Sequence, residues 1–391
     1  MRRIANIVLT FFRRADLVLL GLCVAATLFG IVLISSAARY LGAGHYLTVQ
    51  AMALVLGIGA YAIISFVDID IVAERWELLL LVSLGFIVSL RWLGIGEQTT
   101  GNRSWIYLRL LGVSVQPAEV CKIFFIIILA KVMSRNQNRL STPLTVGKLL
   151  VITGLLAGAI MIFSYDDGLA LSYLAVFLLM ALSGGVSLAW FGAGLLALLA
   201  ITPIVWTQVL DQVQRNRILV VFDPSVDPLA QGARYQMNLC QTALGGGQLT
   251  GQGLYHGAQT QSGILTGQHT DYIFTVVGEE LGMVGCFCVL ALLCAIILRC
   301  IWVGVKSGNY MNRMICFGFA MNLLFQVFIN VGMCLGVVPI IGLTLPFFSY
   351  GGSGIITNFV CMGVVSSIHM RPAPDRNVRY IQPPVAAMAR Y

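Results

Sequence analysis

Ten long apolar runs, separated by short polar ones, set the rhythm of the chain. About 20 apolar residues are needed to cross a bilayer. By that measure the runs predict spans at 17–36, 47–67, 78–95, 117–133, 149–164, 168–186, 188–207, 281–299, 314–338 and 352–370. The runs are continuous rather than alternating, which predicts helices and excludes the strands of a membrane barrel. The expected fold is an all-α polytopic membrane protein of about ten transmembrane helices. A large extracytoplasmic loop, 208–271, separates the seventh from the eighth, and a short cytoplasmic tail covers 371–391. Spans this closely spaced read as one membrane domain over 1–391. The N-terminal arginines precede a long apolar run with no small-residue cleavage site, which reads as a first span rather than a cleaved signal.

Composition agrees. The chain is 58% hydrophobic and 10% charged, with mean hydropathy +0.88, against about 25% charged residues in a soluble domain. With the N-terminus inside, cytoplasmic segments hold sixteen of the 24 Lys and Arg and outside segments seven, while Lys122 falls within a span. This bias predicts both termini in the cytoplasm. The net charge of +8 is then mostly a topology signal, with no need for nucleic acid. Of the ten cysteines only Cys240 lies in a polar loop, and no CxxC pair exists. They read as small buried hydrophobes rather than a disulfide or metal framework. The four histidines show no ligand spacing, so no His-built metal site is inferred.

Six of the seven outside arginines fall in two loops: Arg91, Arg103 and Arg109 in 91–116, and Arg215, Arg217 and Arg234 in 208–271. Snorkelling or contact with anionic head groups explains any one of them. Clustered, they also suit an anionic ligand such as a pyrophosphate, because guanidinium matches phosphate oxygens in a bidentate way. Trp105 and Tyr107 read as interface anchors. Pro117 suits the first position of a helix, and Glu119 in its first turn complements the helix dipole. Lys122 lies roughly 8 Å into that span. It shares a face with Glu119 at i,i+3, which points to a polar face turned into the bundle rather than to snorkelling. Asp166 and Asp167 precede a glycine and read as turn chemistry.

The stretch from Gly245 to Gly285 is the chemically richest. GGGQLTGQG is not followed by Lys-Ser or Lys-Thr and sits in no βαβ pattern, so it is neither a P-loop nor a dinucleotide fingerprint. It reads as a pliable region that lets backbone approach a ligand. Asp271 follows His269-Thr270 just before the chain turns apolar again. Thr270 as the cap of a helix starting at Asp271 gives the acid a bland explanation. Glu279 and Glu280 follow at the edge of the run beginning at Leu281, and three acids so near hydrocarbon are unusual. Between the last two spans, Pro339, Pro346 and a set of glycines imply broken backbone, tolerated only where it is buried in protein or lines a wet cavity.

Three blocks, VQPAEVCK, HTDYIFTVVGEELG and INVGMCLGVVPIIGLTLPFFSYGGSG, resemble in order the signature blocks of the SEDS family, the RodA, FtsW and SpoVE proteins. The similarity spans nearly the whole chain. It implies a peptidoglycan glycosyltransferase of the bacterial plasma membrane that polymerises lipid II into β-1,4 glycan strands at the outer face, in elongation, division or sporulation. It also implies a class B penicillin-binding protein as crosslinking partner. The family's essential acid falls on Asp271, its membrane lysine on Lys122 with the neighbouring Glu119, and the arginine of its GxRxW segment on Arg103. The chain departs from the family at Leu265–Gln268, where Leu-Pro-Glu is usual, and at Asp166–Ala170. HGAQTQ is closer to RodA and GLTLP to FtsW or SpoVE; the balance leans slightly to RodA.

An α-linked donor and a β-linked product require inversion, and one carboxylate suffices to deprotonate the attacking hydroxyl. Asp271 fits that role, with His269 and Thr270 orienting it and Glu279 and Glu280 raising its pKa by like charge. Arg103, Lys122, Arg215 and Arg217 can stabilise the pyrophosphate. A divalent cation, Mg or Mn, can share that task, though the sequence shows no ligands for it. The rival is a lipid II flippase, suggested by the intramembrane lysine and the broken helices; against it, no inverted repeat is evident.

Overall fold

The computed structural model describes residues 2–96, 102–108, 113–227 and 232–371. Arg109 and the tail beyond Arg371 lie outside the described residues. The apolar runs are helices, and nine of those described are long and apolar enough to cross a membrane. Pro117–Arg135 is not among the nine, because Glu119, Lys122, Lys131 and Arg135 make it too charged. It is nevertheless the fourth of the ten expected spans. Thirteen of its 19 residues are buried, so helices rather than lipid surround it, and charge there is tolerable only because protein groups answer it.

In chain order the spans are α1 (Leu17–Ala37), α2 (Gly44–Ser65), α3 (Trp76–Leu93, with a slight break near Ser89), α4 (Pro117–Arg135), α5 (Pro143–Phe163), α6 (Asp167–Gly184), α7 (Leu188–Ile204), α8 (Ile273–Lys306), α9 (Tyr310–Leu335) and α10 (Gly352–Met370). Their starts follow local chemistry. Pro117 and Pro143 occupy first-turn positions, where the missing N–H costs nothing. Asp16, Asp166 and Asn309 accept backbone N–H groups as caps. Asp16 is buried and also takes a two-point contact from Arg299, which ties α1 to α8. By contrast α7 has no buried residue and stands at the rim of the bundle.

Three features depart from the sequence reading. A small antiparallel sheet, Gly94–Ile95, Trp105–Leu108 and Val113–Val115, folds the loop before α4, so the fold is helical but not purely so. Cys240 is not in an open polar loop: it sits fully buried on a helix, Ala233–Gly247, that packs on α8.

The eighth span begins at Ile273 rather than 281 and breaks at Gly282, where φ is 68°. The glycine-rich stretch sits against that break. Met283 and Val284 donate to the carbonyls of Gln248 and Leu249, while Gln252 and Gly253 donate to those of Glu279 and Glu280. A Cβ on Gly247 would lie 1.8 Å from the Gly278 carbonyl. The glycines therefore let backbone meet backbone, not a ligand, and repair the hydrogen bonds that the broken helix gives up.

Candidate active site

A cavity of about 1220 Å³ opens among the ends of α4, α6, α9 and α10 and the long loop. It is larger than most small-molecule pockets. Asp271, Asp166, Glu119, Arg217, Trp105 and Gln326 all line it. So does the irregular backbone at 340–345, as the prolines and glycines there implied.

Asp271 lies on a turn that precedes α8 and is not in the helix's first turn. Thr270 does not cap the helix; its hydroxyl donates to the Gly267 carbonyl at 3.1 Å. The bland explanation of the acid as a helix-start residue therefore fails. The turn is held from three sides. Asn330 donates to the Asp271 carbonyl at 2.7 Å, Ser349 to that of Thr270 at 2.6 Å, and the Tyr350 amide to that of His269 at 2.8 Å. Facing it, Gly342 has φ +77° and would place a Cβ 3.6 Å from Asp271 Oδ2. A side chain there would strain the backbone and cover the carboxylate.

Asp166 caps α6 through Leu169 N at 3.0 Å and accepts from the Ser104 hydroxyl at 3.1 Å. The same segment is fixed again by the Arg103 amide donating to the Ser164 carbonyl at 2.8 Å. Burial pushes the Asp271 carboxyl up to about 6, with the negative charge of Asp166 as the second cause. Burial likewise pushes Asp166 up, and Glu119 adds to it. These are the two mechanisms that poise a carboxylate as a base near neutral pH.

Lys122 is buried and bonded to Glu119 Oε1 at 2.9 Å, the shared face the spacing predicted. Glu119 reaches the cavity, and Lys122 stands directly behind it. Arg217 lines the cavity; Arg215, two residues earlier, turns away and donates to the Thr207 carbonyl at 3.1 Å. Arg103 is half-buried beside the lining residues Asn102 and Ser104. His269 packs against the rings of Tyr46 and Tyr350, at 5.0 and 5.7 Å, which also touch each other, and burial holds its pKa down.

Glu279 is elsewhere. It is fully buried and accepts from Gln259 N, Thr260 N and the Thr260 hydroxyl at 2.7–2.8 Å. Glu280 accepts from Ser36 and Gln261. Both fasten the short helix Ala258–Ser262, and the like charge beside Asp271 is Asp166 instead. Several lining residues escaped the sequence reading, among them Gln326, Asp166 and Trp105. Asp166 looked like an ordinary turn acid, and Trp105 like an interface anchor. Among the described residues no three His, Cys, Asp or Glu converge as a metal cage.

A family model described as "Cell cycle protein", covering FtsW, RodA and SpoVE, matches residues 14–373. The chain belongs to the FtsW/RodA/SpoVE family. Among relatives within it, "Peptidoglycan glycosyltransferase MrdB" of Escherichia coli K12 is 34% identical over 281 residues, 70% of this chain and 72% of the relative. "Probable peptidoglycan glycosyltransferase FtsW" of Geobacter sulfurreducens PCA is 32% identical over 369 residues, 92% of this chain and 96% of the relative. Among solved structures, one described as "Structural coordination of polymerization and crosslinking by a peptidoglycan synthase complex" superposes with TM-score 0.78. It shares 28% identity and covers 92% of this chain and 99% of its own. The rod shape determining protein RodA of Thermus thermophilus gives 0.68 at 25% identity, covering 92% of this chain and 98% of its own. The FtsW/RodA/SpoVE fold thus accounts for the described bundle as a multi-pass membrane protein.

Proposed function

We propose that this chain is a peptidoglycan glycosyltransferase that polymerises lipid II. The observation that carries the reading is Asp271: a half-buried carboxylate, pushed up to about 6 by desolvation, on a triply anchored turn in a large cavity. It sits in a chain whose relatives bear that enzyme's name. In the reaction the acceptor hydroxyl attacks the anomeric carbon of the donor from the face opposite the pyrophosphate. Asp271 takes the hydroxyl proton, the new C–O bond forms with inversion, and the pyrophosphate leaves with the electron pair of the bond that breaks. Arg217 and the Glu119–Lys122 pair supply polar and cationic groups on the cavity side, and Arg103 supports that wall. Arg215, His269 and Glu279 serve by holding the loop, the turn and the short helix in place.

A divalent cation fits only as a shared ion. Asp166, the cavity carboxylate with no part in the proton transfer, would hold it together with substrate phosphates, and it would neutralise charge on the leaving group.

The cavity end is assigned to the outer face, with both termini cytoplasmic, from the distribution of Lys and Arg. The partner we assign is a class B penicillin-binding protein, a reading supported by the likeness to the solved complex described as coordinating polymerization and crosslinking. The relatives' names favour transfer over the flippase alternative.

The test is incubation of the purified protein with lipid II and Mg or Mn, with and without a candidate partner, reading glycan polymer on a gel. A ladder is expected. Intact lipid II in every arm would overturn the reading.

A further inference from the structure

Helix α9 carries four buried carboxamides, Asn312, Asn322, Gln326 and Asn330, which are 7%, 5%, 4% and 0% exposed. At 100° per residue they fall within a stripe roughly 80° wide. Each leaves its side-chain oxygen buried without a hydrogen-bond partner. Buried acceptors in native proteins are ordinarily satisfied, so an unsatisfied one marks a place for a ligand or water. Of the four, Gln326 lines the cavity, one helical turn from Asn330 along α9, whose side chain holds the Asp271 carbonyl. One turn is about 5–6 Å.

We propose that Gln326 binds the 2-acetamido group of the sugar that bears the pyrophosphate. The inference rests on the polymerase reading and deepens it. Asp271 acts at the anomeric carbon through the attacking hydroxyl, and the acetamido nitrogen is bonded to the neighbouring ring carbon. It is therefore the substrate amide carried nearest to the reacting centre, and Gln326 is the neutral acceptor one turn from the acid's anchor. Among the described residues, six carboxylates and one arginine, Arg217, share the wall with other carboxamides, of which Gln236 also leaves its oxygen without a partner. What sets Gln326 apart is its place on α9, one turn from the side chain that holds the Asp271 turn. A carboxamide offers one acceptor and two donors. Its oxygen takes the acetamido N–H, and its NH2 group can return a bond to the acetyl carbonyl. A site built to hydrogen-bond such a group discriminates strongly against a substrate that lacks it.

Secondary amides also occur in the stem peptide, so the experiment uses three donors: lipid II, an analogue with a hydroxyl in place of that acetamido group, and lipid-linked disaccharide without the peptide. Gln326→Leu and the volume-conserving Gln326→Met are compared with the parent after unfolding temperatures confirm folded protein. Both variants should lose about 10–100-fold in kcat/KM on lipid II and on the peptide-free donor, yet match the parent on the 2-hydroxyl analogue.

Equal losses on all donors would show a structural role and sink the proposal. Full activity on lipid II would mean that water satisfies the amide, and would overturn it equally. Sensitivity that vanishes with the peptide would assign Gln326 to the stem instead of the acetamido group. If the parent forms no polymer, the polymerase reading fails first, and equilibrium binding of the same three donors still decides the role of Gln326.

Discussion

Asn330 donates both its amide hydrogens, one to the carbonyl of Asp271 and one to that of Leu343, each at 2.7 Å. One side chain on α9 thus couples the turn that carries the acid to the irregular stretch that faces it. Asn330→Ala strands two backbone acceptors, at about 1–3 kcal/mol each if they stay buried. A lower unfolding temperature is expected, with kcat for polymerisation down at least tenfold and KM little changed, because the acid loses its placement rather than the substrate its contacts. Unchanged kcat would show that Ser349 and Tyr350 hold the turn alone.

The pH profile follows from Asp271. The base works as a carboxylate, so activity should climb as pH rises through about 6 and then level off. Burial is the larger cause of the raised pKa and the charge of Asp166 the smaller. Asp166→Asn removes only the second, so the acid limb should move to lower pH while staying above that of a free carboxylate. Single-turnover rates from pH 4.5 to 8 report the limb. A limb that stays in place in the variant would separate the two acids electrostatically.

Lys122 and Glu119 pose a different question: whether the lysine serves the substrate or only neutralises its neighbour. Lys122 is 3% exposed and Glu119 16%, joined at 2.9 Å. Lys122→Met should abolish polymerisation on either view, since it leaves Glu119 unanswered in a buried place. The double variant Lys122→Met/Glu119→Gln separates them. If Lys122 meets the pyrophosphate, the double variant stays inactive. Recovery to within a few-fold of the parent would reduce the lysine to a counter-ion.

The orientation is open to labelling, though not at Cys240, which is buried. Ser225 is exposed in the long loop, and Ser225→Cys in a background without other reactive thiols should react with an impermeant reagent from outside intact cells. Reaction from the cytoplasmic side alone would overturn the assignment of the cavity to the outer face.

The spans were legible because hydrocarbon demands long apolar helices: every one of the ten runs became a helix, and nine of those described are long and apolar enough to cross a membrane. The ends were less so. α8 starts eight residues early because Ile273 to Gly278 continue the helix before the break at Gly282, and a hydropathy window sees the acids Glu279 and Glu280 as an edge. Those acids are buried by partners on the helix Ala258–Ser262, some 20 residues away in sequence, and only the fold shows that pairing. Asp271, Lys122, Glu119 and Arg217 carried local signals: an acid at a loop's end, a lysine inside a span, a shared helix face, an outside arginine. Asp166 did not, since an acid before Asp-Gly has an ordinary explanation as a turn or cap, and it is indeed a cap. Its place opposite Asp271 comes from the packing of α6 against the stretch at Ile341, where a Cβ on Gly168 would lie 2.6 Å from that side chain.

Asp271→Asn distinguishes a catalytic acid from a structural one by moving stability and activity in opposite directions. The folded pKa, about 6, lies above the ordinary value of 3.8. Between these values the folded state binds more protons than the unfolded one, so stability falls as pH rises and the loss is complete above the folded pKa. At pH 7 and above the ionised carboxylate therefore weakens the fold, by something on the order of 1–3 kcal/mol at 1.36 kcal/mol per pKa unit. Asparagine keeps the shape and a hydrogen-bonding oxygen and removes that charge. The variant should unfold at a higher temperature than the parent at pH 8, with the gap closing toward pH 4, while polymerisation falls at least a hundredfold for want of a base. A helix-start acid would give the reverse: a loss of about 1 kcal/mol with activity retained. Unfolding scans at the two pH values and lipid II turnover at matched protein levels decide it. A variant that is both less stable at pH 8 and still active within a few-fold of the parent would remove Asp271 from the chemistry.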